Sequence, residues 1–238
     1  MRTVVLVGLR RAPIESAERL GLRIVLVAEA APGARTAARL HHVVEASFDA
    51  PPEAWAAVAA DLRPLGADAV VALTERSVVP AAHLRAALGL DGLTPEAAHL
   101  CTHKGAMKGA IRGAGIACAD FVVASGEAPS EALGRDAVIE RLGLPLVVKP
   151  CVGSGGRGAF VVYERREMPD RLPDGWMAEA FVHGTEMSTE GLGWDGRLRA
   201  MNPTRYLAVG EASIVPAPLP APEAEAVRNL HAAAWRGA

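Results

Sequence analysis

The sequence predicts an α/β domain with a doubly wound parallel sheet, followed by an α+β region. In residues 1–93, short apolar and β-branched runs alternate with helical stretches, which is typical of parallel strands covered by helices. After Gly92 the strands follow one another across turns instead, which is the pattern of an α+β fold. The 238 residues are enough for one large domain or two modest ones.

Six elements are predicted in the first domain. They are a strand at Thr3–Val7, a helix at Ile14–Leu20, a strand at Arg23–Val27, a helix at Ala54–Leu62, a strand at Asp68–Leu73 and a helix at Pro80–Leu88. Ligands of such sheets lie outside the carboxyl ends of the strands, where Gly8 and Glu75 are found. A site for a small acid at this edge is one alternative, although a tight turn alone also explains Gly8.

The remaining residues mix helices with strands. Helices are predicted at Pro95–Ala114, at Ser130–Leu142 and from Glu223 to about Ala234, the last after a proline-rich connector at 216–222. Strands are predicted at Phe121–Val123, Leu144–Val148, Ala159–Tyr163, Trp176–Val182 and Glu186–Leu192, and Asp195-Gly196 forms a hairpin turn into Arg197–Met201.

Composition excludes several classes of protein. Lysine and arginine total 25 against 27 acidic residues, and this net charge of −2 argues against a nucleic-acid partner. Three scattered cysteines are too few for a disulfide framework and suit a reducing compartment. The longest apolar runs fall short of the about 18 residues that a membrane span needs. We therefore expect a cytoplasmic protein without a membrane partner.

A glycine-rich loop is the strongest local signal. Gly153–Gly158 (Gly-Ser-Gly-Gly-Arg-Gly) follows Lys149, and strand-like sequences lie on both sides of it. A dinucleotide fingerprint would lead into a helix, and a P-loop would end in Gly-Lys-Ser or Gly-Lys-Thr, so both motifs are excluded. Such a loop can turn backbone N–H groups toward phosphate oxygens beside a lysine, but a plain hairpin explains it equally well.

Two further segments carry polar side chains. Lys104 begins a helical turn upstream of the loop, where a solvated lysine is the ordinary interpretation. Downstream, period-two alternation places Glu186, Ser188 and Glu190 on one face of a strand, and a solvated sheet face is again the alternative.

The order of these segments resembles the ATP-grasp superfamily. The matching motifs are His103-Lys104 with a helix to Gly115-Ile116, then Leu146–Pro150 with the glycine loop, then Met177–Glu186. The resemblance implies a pre-ATP-grasp domain at 1–93 and a linking helix with the small lobe at 94–181. It also implies a partial C-terminal lobe at 182–238, so that the ATP-grasp fold would be truncated at the C-terminus.

The resemblance also implies roles for individual residues. Lys104 and Lys149 would contact the phosphates of ATP, whereas Lys108 receives no role. The lid over the triphosphate would consist of Gly153, Ser154, Gly155, Gly156 and Gly158. Glu179 and the backbone of Ala180, Phe181 and Val182 would form the hinge that reads adenine. Glu186 would accept hydrogen bonds from the ribose hydroxyls, since a carboxylate takes two donors at once.

The implied activity is ATP-dependent ligation of a small-molecule carboxylate to an amine or thiol through an acyl phosphate, with Mg²⁺. The family's metal ligands, a glutamate followed by Glu-x-Asn, have no match after Arg205, and Asn202-Pro203 comes too early. No metal or catalytic residue is therefore assigned, and we expect at best weak ATP binding with negligible turnover.

The sequence also supports an alternative function and predicts an oligomeric state. The alternative function is a non-catalytic nucleotide-binding or interaction module, a relic of such a ligase. An open sheet edge near Ile214–Val215 would favour a homodimer or another partner that completes the sheet.

Overall fold

A computed structural model describes residues 1–124, 133–194, 197–208 and 212–237. The chain divides into two compact units, Met1–Thr102 and His103–Ala238. The predicted boundaries after residues 93 and 181 stay predictions.

The first unit is a doubly wound α/β domain, as predicted. Its elements are β1 (Thr3–Val7), α1 (Arg11–Arg19), β2 (Arg23–Ala28), α2 (Ala34–Ala37), β3 (His42–Glu45), α3 (Ala54–Leu62), β4 (Ala69–Ala72), α4 (Val78–Leu88) and α5 (Pro95–Thr102). The four strands are parallel, in the order β3-β2-β1-β4. Sequence patterns missed α2 and β3, which are only four residues long each.

Both faces of this sheet are buried. Val5 and Val7 of β1 point to a core formed with α3 and α4, whereas Val4 and Leu6 pack with Ile14 of α1 on the opposite face. Burial of each such side chain contributes about 1.5–3 kcal/mol to the stability of the fold. A strand that is covered on both faces therefore favours an unbroken run of apolar residues.

The second unit begins with a helix and a four-stranded antiparallel sheet. Its elements are α6 (Lys104–Gly113), β5 (Phe121–Val123), α7 (Arg135–Leu142), β6 (Leu146–Pro150), β7 (Phe160–Val162) and β8 (Trp176–Ala180). The strand order is β5-β8-β6-β7. The predicted start of a helix at Ser130 lies outside the described residues.

The single helix predicted over residues 95–114 is wrong, because His103 breaks it into α5 and α6. The backbone of His103 is extended, and its ring Nδ1 accepts a hydrogen bond from the Ala106 N–H at 3.1 Å. This cap starts α6 at Lys104, whose own N–H donates to the Cys151 carbonyl at 2.8 Å. The break therefore ties the first turn of α6 to the residue that follows β6.

The rest of the second unit is a three-stranded antiparallel sheet with a helix. The elements are β9 (Met187–Trp194), β10 (Arg197–Ala208), β11 (Ala212–Ile214) and α8 (Ala221–Gly237), with strand order β11-β10-β9. Strand β10 runs well beyond its predicted end at Met201. The predicted Asp195-Gly196 turn lies outside the described residues. Within the described sheet β11 is an outer strand, and Ile214 and Val215 are exposed. Self-association at this edge stays a prediction.

Across the described ranges, every helix is too short or too polar to cross a bilayer.

Candidate functional site

The glycine loop joins β6 to β7, which pair antiparallel with Val147 opposite Val161. Four of its glycines have positive φ angles, at +136° for Gly153, +65° for Gly155, +67° for Gly156 and +77° for Gly158. Other residues adopt this left-handed region at a cost of about 1–2 kcal/mol each. The glycine-rich sequence is therefore required by the backbone path of the loop.

A cavity of about 260 Å³ lies between this loop and β6. We call it the loop cavity. Three cationic side chains line it, from Lys104, Lys149 and Arg157. The Lys104 ammonium donates to the Gly153 carbonyl at 2.6 Å, and Arg157 donates to the Ser154 hydroxyl at 3.3 Å. The structure thus brings both predicted lysines to the predicted loop, with a surplus of positive charge suited to an anion.

Arg157 is a site residue that sequence reasoning missed. Its signal was present, because it is the charged residue inside the Gly153–Gly158 motif. A guanidinium there supplies directed donors close to the exposed N–H groups of the loop.

Glu179 lies between two lysines beside the loop cavity. Glu179 faces Val147 in the β6–β8 ladder, two positions along from Lys149, so these two side chains share one face of the sheet. The Lys149 ammonium donates to Glu179 Oε1, and the Lys108 ammonium lies 3.0 Å from Oε2. All three side chains are at most 20% exposed.

Lys108 therefore belongs to the site, although the sequence assigned it no role. The chain has only three lysines, Lys104, Lys108 and Lys149. Lys104 and Lys149 line the loop cavity, and Lys108 and Lys149 form ion pairs with Glu179. Lys108 also lies 5.5 Å from the centroid of the Phe121 ring. No local pattern separates a lysine that crosses to a neighbouring sheet from one that is solvated, so only the tertiary structure identifies it.

Glu179 keeps its charge in this environment. Burial alone would raise its pKa, but the hydrogen bonds from Lys149 and Lys108 outweigh that effect and leave the pKa below its usual value. Glu179 Oε2 is buried and lies 3.0 Å from the Lys108 ammonium, so each oxygen of this carboxylate meets one lysine.

The predicted hinge, residues 179–182, follows directly from β8. The Ala180 N–H donates to the Asp120 carbonyl at 2.9 Å, and the Phe181 N–H donates to the Pro145 carbonyl at 3.2 Å. Within the described ranges nothing accepts from the Val182 N–H, and Val182 is 70% exposed. The hinge therefore offers one free backbone donor, at its last residue.

Glu186 lies just before β9 and is exposed. Its carbonyl accepts from the Tyr206 N–H at 3.4 Å, while its carboxylate has no hydrogen bond to any described residue. Glu190 differs: its oxygens accept from Ser188 at 2.9 Å and from Thr204 at 2.6 Å, and these two bonds lower its pKa. Glu190 thus holds a hydroxyl network together, and Glu186 is the carboxylate left for a ligand.

Metal binding has less support. Nowhere in the described ranges do three or more histidine, cysteine, aspartate or glutamate side chains come together to hold a metal ion.

The loop conformation leads to a first prediction. Gly158→Ala should lower the free energy of unfolding by about 1–2 kcal/mol, because φ is left-handed and the new Cβ would lie 3.2 Å from the Pro150 ring. Gly109→Ala is the matched control, since this residue is in α6 with open space around it, and it should raise stability by about 0.5–1 kcal/mol. Urea unfolding of both variants checks the signs, and equal shifts would contradict the described loop.

Comparison with known proteins supports the interpretation of both units. A family model described as the ATP-grasp N-terminal domain matches residues 14–92. The L-arginine-specific L-amino acid ligase of Bacillus subtilis is 36% identical over 96 residues, which are 40% of this chain and 22% of that ligase.

Solved structures share the fold along the whole chain. An L-amino acid ligase from Bacillus licheniformis matches with a TM-score of 0.80 at 22% identity, over 100% of this chain and 60% of that one. Carboxyaminoimidazole ribonucleotide synthase from Aspergillus clavatus, solved with ATP, matches with a TM-score of 0.77 at 21% identity, over 99% and 63%. The predicted ATP-grasp fold is confirmed, and the family model at residues 14–92 supports the resemblance to the ATP-grasp superfamily.

Proposed function

We propose that the unit His103–Ala238 binds ATP, with the triphosphate in the loop cavity. The observation that carries this proposal is the convergence of Lys104, Lys149 and Arg157 on a cavity roofed by a left-handed glycine loop. A triphosphate carries about four negative charges, and three cations with several free N–H groups match it.

The adenosine part of ATP is assigned to the hinge and Glu186. The Val182 N–H donates to ring nitrogen N1 of adenine. Glu186 accepts from the ribose hydroxyls, because its carboxylate is exposed and free of hydrogen bonds within the described ranges. N1 is an acceptor in adenine but carries a hydrogen in guanine, so the contact with Val182 selects adenine over guanine.

The chemistry we propose for the whole protein is ligation of a carboxylate to an amine. The terminal phosphoryl group of ATP is transferred to a carboxylate oxygen, giving ADP and an acyl phosphate. The amine nitrogen then attacks the acyl carbon and forms the amide bond. The bond between this carbon and the phosphate oxygen breaks, and inorganic phosphate and a proton are released. The lysines and the loop hold the triphosphate in line and neutralise its charge. Support comes from two relatives that are named as amino acid ligases.

A nucleotide series tests the proposed binding function. Millimolar ATP should raise the Tm of the chain, because a ligand that binds only the folded state stabilises it. GTP should give a clearly smaller shift, since guanine N1 is a donor and would meet the Val182 N–H, which is also a donor. Equal shifts with ATP and GTP would leave phosphate binding intact but would contradict the hinge assignment.

Glu186→Ala provides a second prediction. The variant should lose about tenfold or more in affinity for both ATP and AMP, because each hydrogen bond to a charged acceptor contributes about 1.5–3 kcal/mol. Glu190→Ala is the matched control, since its carboxylate is already engaged by Ser188 and Thr204. Calorimetric titration measures both. Unchanged AMP binding in Glu186→Ala would show that this carboxylate is only solvated.

A non-catalytic nucleotide-binding module is the second candidate function. The observation that favours it is that the described residues form no carboxylate cluster for a metal ion. Phosphate release tests this candidate: the module predicts ATP binding with negligible release for every acid and amine offered, and sustained Mg²⁺-dependent release from the chain would overturn it.

A further inference from the structure

A second cavity, of about 400 Å³, lies in the first unit and shares no lining residue with the loop cavity. Four arginines line it, and we call it the arginine cavity. Arg10 and Arg11 come from the segment that follows β1, and Arg35 and Arg39 come from the segment that follows β2. Because β1 and β2 are parallel neighbours, their carboxyl ends bring these segments together at the edge where α/β sheets bind ligands.

The arginines that line this cavity outnumber the acidic side chains that pair with them. The Arg11 guanidinium lies 2.6 Å from the Glu15 carboxylate, and the Arg39 guanidinium donates two hydrogen bonds to the Glu18 carboxylate. Within the described part of the chain, neither Arg10 nor Arg35 forms an ion pair or a side-chain hydrogen bond. Two guanidinium groups with all of their donors free thus face one cavity from two different segments.

The backbone adds to this surplus rather than reducing it. Arg10 is the residue before α1, and neither its side chain nor an acidic residue in the first turn caps the helix. The first N–H groups of α1 therefore lack a side-chain acceptor, and the positive end of the helix points toward the same region. The wall of the cavity is apolar at Ile14, which is fully buried.

We propose that the arginine cavity binds a phosphate group. Two unpaired guanidinium forks match the several oxygens and the double charge of a phosphate, whereas a single carboxylate would satisfy only one of them. The volume also exceeds what one phosphate ion requires, so it accommodates a small phosphorylated molecule as well as free phosphate.

Two-dimensional NMR of the ¹⁵N-labelled 238-residue chain tests this site directly. The probes are inorganic phosphate, ribose 5-phosphate and succinate, each titrated at constant ionic strength near 0.15 M to suppress weak screening effects. We expect both phosphate probes to shift the amide signals of residues 9–11 and 35–39 to saturation, and succinate to bind at least about tenfold more weakly. Tighter binding of ribose 5-phosphate identifies a phosphorylated molecule as the ligand, and equal binding identifies free phosphate.

Substitutions complete the test. Arg10→Gln and Arg35→Gln should each weaken phosphate binding at these signals about tenfold, because each removes charge-assisted hydrogen bonds. Arg2→Gln is the matched control, since Arg2 is also exposed and unpaired among the described residues but lies at the opposite, amino end of β1. The proposal is overturned if phosphate shifts only the signals of the glycine loop, if succinate binds equally well, or if Arg10→Gln and Arg2→Gln behave alike.

Discussion

Glu179→Ala is expected to lower the free energy of unfolding by about 3 kcal/mol, because it leaves two mostly buried lysines without their shared counter-charge. Lys108 and Lys149 are only 13% and 20% exposed, so water replaces the lost carboxylate poorly. Glu190→Ala is the matched control in the same unit. Its exposed carboxylate accepts two hydroxyl hydrogen bonds, and we expect a loss of about 1 kcal/mol or less.

The pH dependence of stability provides a separate check on the same cluster. The folded pKa of Glu179 is lowered, so its contribution is fully present above its ordinary pKa of about 4.3 and is lost as the pH falls below that value. The stability gap between the unmodified chain and Glu179→Gln should therefore be widest near neutral pH and narrow in acid. A gap that is constant with pH, or a Glu179→Ala loss no larger than that of Glu190→Ala, would contradict the ion-pair cluster.

Lys104→Ala and Lys149→Ala should both reduce ATP affinity by about tenfold or more, but they should differ with AMP. Lys104 contacts the loop at the Gly153 carbonyl and is assigned to phosphates alone, so Lys104→Ala should leave AMP binding close to that of the unmodified chain. Lys149 also holds Glu179, so its loss should weaken AMP binding as well, though less than ATP binding.

The control for these variants cannot be another lysine. The sequence assigns Lys108 no role, but its ion pair with Glu179 makes it part of the site. Arg199→Ala is the better control, because Arg199 lies on β10, is exposed and forms no ion pair with any described residue. Calorimetric titration with both nucleotides separates the variants. If Lys104→Ala and Arg199→Ala bind ATP equally well, the phosphate assignment is wrong.

Elements buried on both faces were predictable from sequence nearly to the residue. Strand β1 matches its prediction at both ends, and β2 extends one residue further, because parallel strands between helix layers admit only apolar side chains. The break at His103 was not predictable by these signals, since neither glycine nor proline marks it and histidine is a weak capping residue. Short elements such as α2 contain too few residues to show a hydrophobic period, so the sequence pattern did not predict them.

The residues of the candidate site also differ in whether the sequence predicts them. The glycine loop and Lys149 could be proposed from the strand-like sequences on both sides of the loop, and Glu179 could be proposed from the resemblance to the ATP-grasp superfamily. Lys108 could not, because its partner is 71 residues away in the chain (179 − 108) and only packing brings the two together. The arginine cavity likewise depends on two segments that meet only when β1 and β2 pair.

Hydrogen–deuterium exchange of the 238-residue chain with and without ATP tests the central claim most directly, because it locates the bound nucleotide. Saturating ATP should slow amide exchange in the glycine loop at 153–158 and in the hinge at 179–182, while peptides from β1 and β2 stay unchanged. The same protection should be lost in Lys104→Ala. Protection confined to the first unit, or equal exchange in the loop with and without ATP, would contradict the proposed site.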